Sequence, residues 1–541
     1  MCRWNLLRDL RLRLTGQCQH LSAHRLLEIG VLPSQSKLLQ NPSIRFRWTR
    51  TALFSYLCLF APKNCAATRN GNNAVKRNCI TRRVFPSPAQ FQRRPRHRRS
   101  SGPFRPQQTD LVRLLLVILI FLLMAHSIAR ANPPDYLTND HEPAIRAGEL
   151  ASPFTEFVTE QPPTPLGTFS SEPFFRYAAF SLQPRLYYRY LQNSSGAQEA
   201  FAAGGSLSFT TGWWRDTLQL GVAGYTTQPV VAPDGAGNTG LLQPNGDGFS
   251  VLGQAWAKVR AGPATATLFR QALQLPFING NDSRMIPNTF EAYQLEVEPW
   301  PVFRLNFGYV AAMKARTSAT FEPMSAIAGV PQVNRGTSFA GFLIGSEERI
   351  YLGAIGQMTW DLFNCTYVQG GQTWQFSQDL EIRGDAQFID QRSVGSELLG
   401  TFNTQLYGAR LTASYGGALL SLEFDDTASG TGIRNPFGGS PSFNSLMISN
   451  FNQAGEKSYG IGITYDFTKL GLTGVRAFGA YAYGSMPAGR WEEEINATVD
   501  YRITAGALKN CWLRLRYAHN ASNGPVPTDD FRVILNYAIN F

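Results

Sequence analysis

The sequence predicts an all-β fold, a transmembrane antiparallel β-barrel of about 18 strands. Three observations predict it: a strictly alternating C-terminal segment, a body of short alternating segments, and connections that alternate between short and long. In the C-terminal segment 530–541, every second residue from Phe531 to Phe541 is apolar, and Arg532 lies on the opposite face. A tilted membrane strand needs about ten residues with one apolar face. A soluble sandwich strand can alternate in the same way, but the inward Arg532 and the terminal aromatic favour a membrane.

The body of the chain alternates in pieces separated by Gly, Pro, Asn and Asp clusters, and no long helical period appears. Period-2 alternation with regular turn signals indicates an all-β chain. The predicted strands are 183–192, 200–210, 215–226, 249–261, 264–274, 290–298, 302–313, 337–346, 349–360, 361–368, 374–389, 402–414, 416–425, 457–468, 474–485, 493–504, 508–519 and 530–541. This even number of strands is what a closed single-chain barrel requires.

The connections between these strands alternate in length. Short turns at 298–301, 469–473 and 504–507 alternate along the chain with long connections at 227–248, 315–336 and 427–457. Short periplasmic turns opposite long outer loops are typical of outer-membrane barrels, and a soluble sandwich has no reason to produce them.

The first 131 residues differ in composition from the rest. They hold 23 basic and 3 acidic residues, which leaves 27 basic and 35 acidic residues for 132–541, a net charge of −8. The Arg-rich run 93–99 suggests an RNA-binding arm, but no apolar face orders this segment, so we expect no nucleic-acid partner. We interpret 1–110 as a basic, low-pattern segment of an over-extended gene model whose true start lies near Leu111 or Val112.

Residues 111–131 read as a secretory signal peptide. The apolar run 111–123 is interrupted only by Arg113 and is followed by Ala129-Arg130-Ala131. This run is too short to span a membrane as a helix, so we predict cleavage after Ala131, with an uncleaved anchor as the alternative. Residues 132–182 are Pro-rich and read as a flexible periplasmic lead-in, and 183–541 form the predicted barrel.

Few residues beyond 131 offer catalytic, metal-binding or disulfide chemistry. Cys365 and Cys511 are the only cysteines there, and the chain alone does not say whether they pair. His141 and His519 are the only histidines, with no nucleophile signature around any serine. The segment 279–283 lacks the acidic spacing of a calcium loop. We therefore expect no enzyme, no metal and no cofactor.

Arginines recur on the inward face of the predicted barrel. Opposite the apolar register lie Arg514 and Arg516 in one strand and Arg532 in the next. Closure places the first and last strands side by side, so these residues are expected to form one basic stripe together with Arg185, Arg189 and Arg502. A column of guanidinium groups offers bidentate partners to carboxylates. The alternative is that acids such as Asp500 and Asp530 pair with these arginines and brace the lumen.

Three segments resemble the OprD-type family of substrate-specific outer-membrane porins. They are 275–291, with its Asp-Ser-Arg motif; 435–457, which is similar to a long loop followed by a strand; and the ending 513–518 with 531–537. Together and in order they span most of 183–541. The first strand, Leu186-Tyr-Tyr-Arg-Tyr190, departs from the family pattern.

The resemblance implies an 18-stranded barrel whose third and seventh outer loops fold inward to form an eyelet, with a basic ladder that guides carboxylates. It implies that Arg284 is the arginine of the inward loop, that Asp282 and Ser283 are opposing eyelet groups, and that Arg514, Arg516 and Arg532 are ladder residues. We therefore expect passive, selective diffusion of small solutes that carry a carboxylate, such as amino acids or organic acids.

Three other functions stay open from the sequence: a non-selective general porin, a surface-binding barrel with a closed lumen and, less favoured, an outer-membrane hydrolase. The expected location is the outer membrane of a Gram-negative bacterium. The expected partners are membrane lipid, lipopolysaccharide, the barrel-assembly machinery and small carboxylate solutes, and the barrel is expected to be a monomer or a weak trimer.

Overall fold

The structure is a computed structural model that describes residues 172–346, 348–506 and 508–540. The predicted signal peptide, its cleavage after Ala131, the upstream basic segment and the lead-in as far as residue 171 lie outside these residues, as does Phe541. The chain is described from Glu172 onward. It enters the barrel through one short helix, α1 (Pro173–Arg176).

The described chain is a closed 18-strand antiparallel β-barrel, as the sequence predicts. The strands are β1 (Ala179–Asn193), β2 (Gly196–Thr210), β3 (Leu218–Val231), β4 (Phe249–Ala261), β5 (Ala264–Gln271), β6 (Thr289–Trp300), β7 (Phe303–Lys314), β8 (Phe321–Pro323), β9 (Thr337–Gly345), β10 (Ile350–Thr359), β11 (Phe363–Gln375), β12 (Leu380–Ser393), β13 (Asn403–Tyr415), β14 (Ala418–Thr427), β15 (Lys457–Asp466), β16 (Val475–Met486), β17 (Arg490–Arg502), β18 (Cys511–Ser522), β19 (Thr528–Tyr537) and β20 (Ile539–Asn540). The short β8 pairs with β7 only, and β20 continues β19 along β1.

Few residues are helical. Besides α1, the described residues contain one other α-helical turn, α2 (Met324–Ile327), and three 3₁₀ turns, at Ala236–Thr239, Phe467–Leu470 and Pro487–Gly489. Within the described ranges, no helix has the length and apolar character needed to cross a bilayer.

The barrel closes through pairing of β1 with β19. In this ladder Arg189 lies opposite Arg532, and in the next ladder Arg532 lies opposite Arg516 of β18. Side chains directly opposite in an antiparallel ladder point to the same face. The register therefore places these three arginines in one row across three neighbouring strands.

The wall is apolar outside and polar inside, the reverse of a soluble protein. In β17, Ile495 is 52% exposed, whereas its neighbour Glu494 is fully buried. The same alternation occurs in β14, where Leu420 and Leu422 are exposed and Ser421 is buried. A barrel surrounded by lipid requires this arrangement, because its outer face contacts hydrocarbon and its inner face contacts water and polar loops.

All 18 predicted strands overlap an observed one, but some boundaries differ. The predicted strand 374–389 was wrong at its start, because a turn at 376–379 separates β11 from β12. This turn has no Gly or Pro, and the Ser377 hydroxyl instead accepts hydrogen bonds from the amides of Asp379 and Leu380. The predicted strand 215–226 also began too early in the sequence, because Arg215 and Asp216 have positive φ angles in the turn before β3.

Connections at one rim are short, and at the other rim several are long. The short-turn rim carries 211–217, 262–263, 301–302, 346–349, 376–379, 416–417, 467–474 and 503–510. Among the connections of the opposite rim we name L2 (232–248), L3 (272–288), L4 (315–336) and L7 (428–456). The predicted alternation of short and long connections is thus confirmed.

Loops fill much of the lumen and supply its apolar core. Leu275 and Phe277 of L3 pack with Phe437 of L7 and with aromatic residues of the barrel wall. A second cluster joins Leu241 of L2 to Met285 of L3. Cys365 and Cys511 are buried and free, so they do not pair.

Candidate functional site

L3 and L7, the third and seventh loops of the long-loop rim, meet inside the lumen. Ile278 and Gly438 form an isolated antiparallel bridge, and the amide of Asn279 donates to the carbonyl of Phe437 at 3.0 Å. The Asn281 side chain donates to the Gly438 carbonyl at 2.8 Å. These hydrogen bonds hold the two inward loops together as one partition across the lumen.

Glycine is required at the junction of the two loops. Gly438 has a φ of +93°, in the left-handed region that disfavours other residues. A Cβ at this position would also lie 2.5 Å from the side-chain nitrogen of Asn288. L7 therefore approaches L3 this closely only because residue 438 has no side chain.

L3 is attached to the first barrel strand by an ion pair. Arg185 of β1 binds Asp282 with Nη1–Oδ1 and Nη2–Oδ2 distances of 2.7 and 2.8 Å, and its Nη1 also donates to the Arg284 carbonyl at 2.5 Å. Close by, the Tyr187 hydroxyl donates to the carbonyl of Ser283 at 3.1 Å. Because a bidentate guanidinium–carboxylate pair fixes orientation as well as distance, this contact sets the position of the L3 tip.

L7 is held by carboxylates of the barrel wall. Glu494 of β17 accepts hydrogen bonds from the amides of Met447, Ile448 and Ser449, with shortest distances of 2.8, 3.0 and 2.7 Å. On the other side of the loop, Asp425 accepts from the amide of Asn444 at 2.8 Å. These inward acids therefore satisfy backbone donors of L7 that would otherwise be buried without acceptors.

A cavity of about 500 Å³ remains between the partition and the barrel wall. Among the described residues, its lining contains seven arginines and one carboxylate, that of Asp282. The arginines are Arg185, Arg284, Arg316, Arg410, Arg514, Arg516 and Arg532. A cavity with this composition holds a positive potential that is strengthened by the low-dielectric wall around it.

The cavity brings together most of the site residues expected from the sequence. Those that line it are Arg185, Asp282, Ser283, Arg284, Arg514, Arg516 and Arg532. Arg189 does not line it and lies behind the cavity wall, bound to Asp530 at 2.5 Å and to the Thr239 carbonyl of L2. Arg502 does not line it either: it lies at the end of β17 beside the short-turn rim and donates to Asn510 at 3.1 Å.

Several of the wall arginines are paired with aspartates and also face the cavity. Arg514 binds Asp500 at 2.6 and 2.7 Å, and Arg532 binds Asp530 at 3.0 and 2.7 Å. Arg516 donates to the Thr498 hydroxyl at 3.2 Å. The sequence left two alternatives, arginines that are exposed to the lumen and arginines that are braced by acids. In Arg514 and Arg532 both occur together.

Two lining arginines, Arg316 and Arg410, were missed from the sequence. Arg410 lies in the inward register of β13, so the alternation of that strand was a signal that could have found it. Arg316 lies in L4 just after β7, and its Nη1 donates to Asn281 at 3.1 Å and to the Ser283 hydroxyl at 2.7 Å. No local pattern indicates that this long loop turns inward onto L3.

Arg284 and Arg316 are half-buried cations in close proximity. Burial, followed by the nearby Arg532 and Arg189, lowers the pKa of Arg284 well below its usual value and that of Arg316 to about 10. Their Nη1 atoms lie 3.4 and 2.7 Å from the same Ser283 Oγ, hence within about 6 Å of each other. At an effective dielectric near 20, two charges about 6 Å apart repel by about 3 kcal/mol, which is comparable to the ~1.5–3 kcal/mol of one hydrogen bond from a charged donor.

The described residues contain no group of three or more His, Cys, Asp or Glu side chains placed to hold a metal ion. What the fold does provide is a closed membrane barrel whose lumen is narrowed by its own loops around a polar cavity. This arrangement defines the class of outer-membrane porins, channels for small solutes.

The comparisons with known proteins give the family. The model of the outer membrane porin family OprD matches residues 172–541, and the chain belongs to that family. Porin D of Pseudomonas aeruginosa is 21% identical over 391 residues, which cover 64% of this chain and 87% of that protein.

Solved structures of Pseudomonas aeruginosa porins share the fold. OccK9 (OpdG) is similar with a TM-score of 0.64 and 26% identity, and OpdK, solved with vanillate, with 0.63 and 23%. OccK2 (OpdF), in complex with glucuronate, is similar with a TM-score of 0.61 and 20% identity. Each alignment covers 68% of this chain and 100% of the other. The chain is therefore a substrate-specific channel of a Gram-negative outer membrane, in contact with membrane lipid and passed by small solutes.

Proposed function

We propose that this porin mediates passive, saturable diffusion of small carboxylate solutes, such as amino acids or organic acids, without changing them chemically. The observation that carries the proposal is the lining of the cavity, where the described residues place seven arginines and one carboxylate around about 500 Å³. A mobile anion is the counter-charge that such a lining favours. Vanillate and glucuronate, the ligands of two similar porins, are both carboxylates.

The aspartates on the wall are compatible with a guiding role for the arginines. A guanidinium group has five N–H donors, and Arg514 uses Nε and Nη2 on Asp500. Its remaining donors are available to a passing carboxylate. Partial neutralisation also prevents binding from becoming too tight, because a selective pore must hold a solute weakly enough to release it.

The register supports a ladder rather than isolated charges. Arg516 and Arg532 are directly opposite each other in the β18–β19 ladder, and Arg514 lies one inward position from Arg516 along β18. Neighbouring inward positions along a strand are about 7 Å apart. A carboxylate therefore passes from one guanidinium to the next in short steps.

The remaining partners follow from the membrane setting. We propose contact with lipopolysaccharide on the outer wall, assembly by the barrel-assembly machinery, and a monomer or weak trimer. The alternating face of β19, with Phe531 outward, is the proposed assembly signal.

The test is the double substitution Arg514→Ala with Arg516→Ala, studied in planar bilayers and by liposome swelling. We expect a reduced flux of anionic solutes. The reversal potential under a salt gradient should shift towards the value of a cation-selective channel. Circular dichroism and heat-modifiable migration on gels report whether the barrel is folded. Unchanged anion selectivity in the folded double variant would contradict the ladder.

Arg502→Ala is the matched control, because it removes an inward arginine that does not line the cavity. We expect its selectivity to equal that of the unmodified chain. A barrel without conductance steps would instead support a closed-lumen binding protein. Equal permeation of anionic and neutral solutes would support a general porin.

A further inference from the structure

Most arginines that line the cavity already have a carboxylate partner. Arg185, Arg514 and Arg532 form ion pairs with Asp282, Asp500 and Asp530. On the opposite wall, Arg410 of β13 binds Asp385 at 3.2 Å. These arginines contribute positive potential, but each is partly neutralised by the protein itself.

Arg284 and Arg316 are different. Arg284 donates to the carbonyl and the hydroxyl of Ser283, and Arg316 donates to the same hydroxyl and to the Asn281 amide oxygen. All of these acceptors are neutral. Within the part of the chain that the structure describes, neither arginine forms an ion pair. Asp282 binds Arg185 through both of its oxygens and forms no ion pair with Arg284 or Arg316.

The two side chains are held in place from several directions. Arg284 lies on L3 and Arg316 on L4, and the Ser283 hydroxyl lies between their Nη1 atoms. Behind Arg284, L2 approaches so closely that a Cβ on Gly240 would lie 3.3 Å from Arg284 Nε. Three loops therefore hold two half-buried cations at one side of the cavity, and both cations line it.

We propose that Arg284 and Arg316 form a two-guanidinium site at the constriction that selects solutes with two carboxylates over solutes with one. The inference rests on the proposed function and deepens it by naming the charge of the preferred solute. A monocarboxylate neutralises one of the two cations, whereas a dicarboxylate neutralises both. Because each planar guanidinium can bind a carboxylate through two parallel hydrogen bonds, the pair matches two carboxylates on one short solute.

The lowered pKa values of both arginines support this view. Each cation is destabilised by burial and by the arginines around it. A bound dianion reverses that destabilisation at both sites, and a monoanion does so at one. The free energy gained from the second carboxylate of the solute therefore comes from Arg284 and Arg316. The wall arginines, which already have a carboxylate partner, contribute less to it.

The experiment compares succinate, butyrate and butane-1,4-diol as blockers of the chloride current through the purified full-length porin in planar bilayers. The measured quantity is the ratio of the half-blocking concentrations of butyrate and succinate. For the unmodified chain we expect a ratio of about ten or more, beyond the factor of about two that two independent carboxylates would give. Arg284→Gln and Arg316→Gln should each reduce the ratio to about two. Arg316→Lys, which keeps the charge but loses the bidentate geometry of the guanidinium, should give a ratio between that of Arg316→Gln and that of the unmodified chain.

Arg392→Gln is the control, since Arg392 is an exposed arginine that binds Asp390 and lies outside the cavity lining. Its ratio should equal that of the unmodified chain. A ratio near two in the unmodified chain would overturn the inference, and this comparison does not depend on any variant folding. An unchanged ratio in the folded Gln variants would overturn it as well.

The same data separate this inference from the proposed function. If succinate and butyrate block equally and both block more strongly than the diol, carboxylate selectivity stands and the two-guanidinium site fails. If neither acid blocks more strongly than the diol, the proposed function itself fails.

Discussion

Arg185, on the first barrel strand, binds Asp282, at the tip of L3, through two parallel contacts of 2.7 and 2.8 Å. The residues are far apart in sequence, and their contact determines where the inward loop stops within the lumen. Asp282 is also the only carboxylate among the described residues that line the cavity. The pair therefore controls both the geometry and the charge of the constriction.

Asp282→Asn should increase the anion preference of the channel. The substitution removes the one carboxylate among the described lining residues and leaves the charge of Arg185 without its counter-charge, so the cavity gains a net positive charge. Because Asp282 is half exposed, we expect a loss of loop anchoring of only about 1 kcal/mol. The reversal potential in a salt gradient measures the effect. Asp247→Asn, an exposed change in L2 outside the cavity, should leave it unaltered.

Glu494→Gln should loosen L7. The carboxylate accepts three backbone amides of the loop, and hydrogen bonds to a charged group contribute about 1.5–3 kcal/mol each. We expect a larger and noisier single-channel conductance as L7 leaves the lumen. Glu493→Gln is the matched control, because Glu493 contacts Tyr481 on the outer face of the same strand. Identical conductance in both variants would show that Glu494 does not hold the loop.

Gly438→Ala should separate L7 from L3. The added methyl group would meet Asn288 at 2.5 Å and would place a side chain at a positive φ, at a cost of about 1–3 kcal/mol. We expect faster passage of a bulky solute relative to a small one in liposome swelling. Gly430→Ala controls for the backbone strain alone, since Gly430 also has a positive φ in L7 but has open space around it. Equal ratios of the swelling rates with the bulky and the small solute in the two variants would contradict a role for the junction.

Glu456 in L7 should make the channel sensitive to pH. Burial, opposed by a hydrogen bond from the Gln453 amide and reinforced by the neighbouring Glu492, raises the pKa of Glu456 to about 8 from its ordinary value of 4.5. Folded L7 thus favours the protonated carboxyl. The anchoring of L7 in the lumen is therefore strongest below pH 4.5, weakens as the pH rises towards 8, and changes little above pH 8.

The fraction of time spent at the main conductance level, recorded from pH 5 to pH 9, tests this expectation. It should fall with rising pH in the unmodified chain and stay constant in Glu456→Gln, which cannot ionise. At pH 5 the two proteins should differ least. A parallel decline in both proteins would assign the pH dependence to another group.

Much of the fold could be predicted because the signals for a barrel are local. Alternation of side chains and turn residues between strands located all 18 strands, and the inward register correctly grouped Arg514, Arg516 and Arg532 on one wall. The turn at 376–379 was missed because it lacks Gly and Pro and relies on a serine hydroxyl. Arg316 was missed because the direction of a long loop does not follow from any period in its sequence.

The sequence by itself determined the barrel, its two faces and the basic character of one wall, because side chains two residues apart must point to the same side of a strand. Only the tertiary structure decided which arginines carry a carboxylate and which do not. The partner of Arg185 lies on L3 and that of Arg189 on the last barrel strand, whereas Arg316 lies on L4 and contacts L3. Such pairings depend on where the inward loops stop in space, and contacts between distant segments set that position.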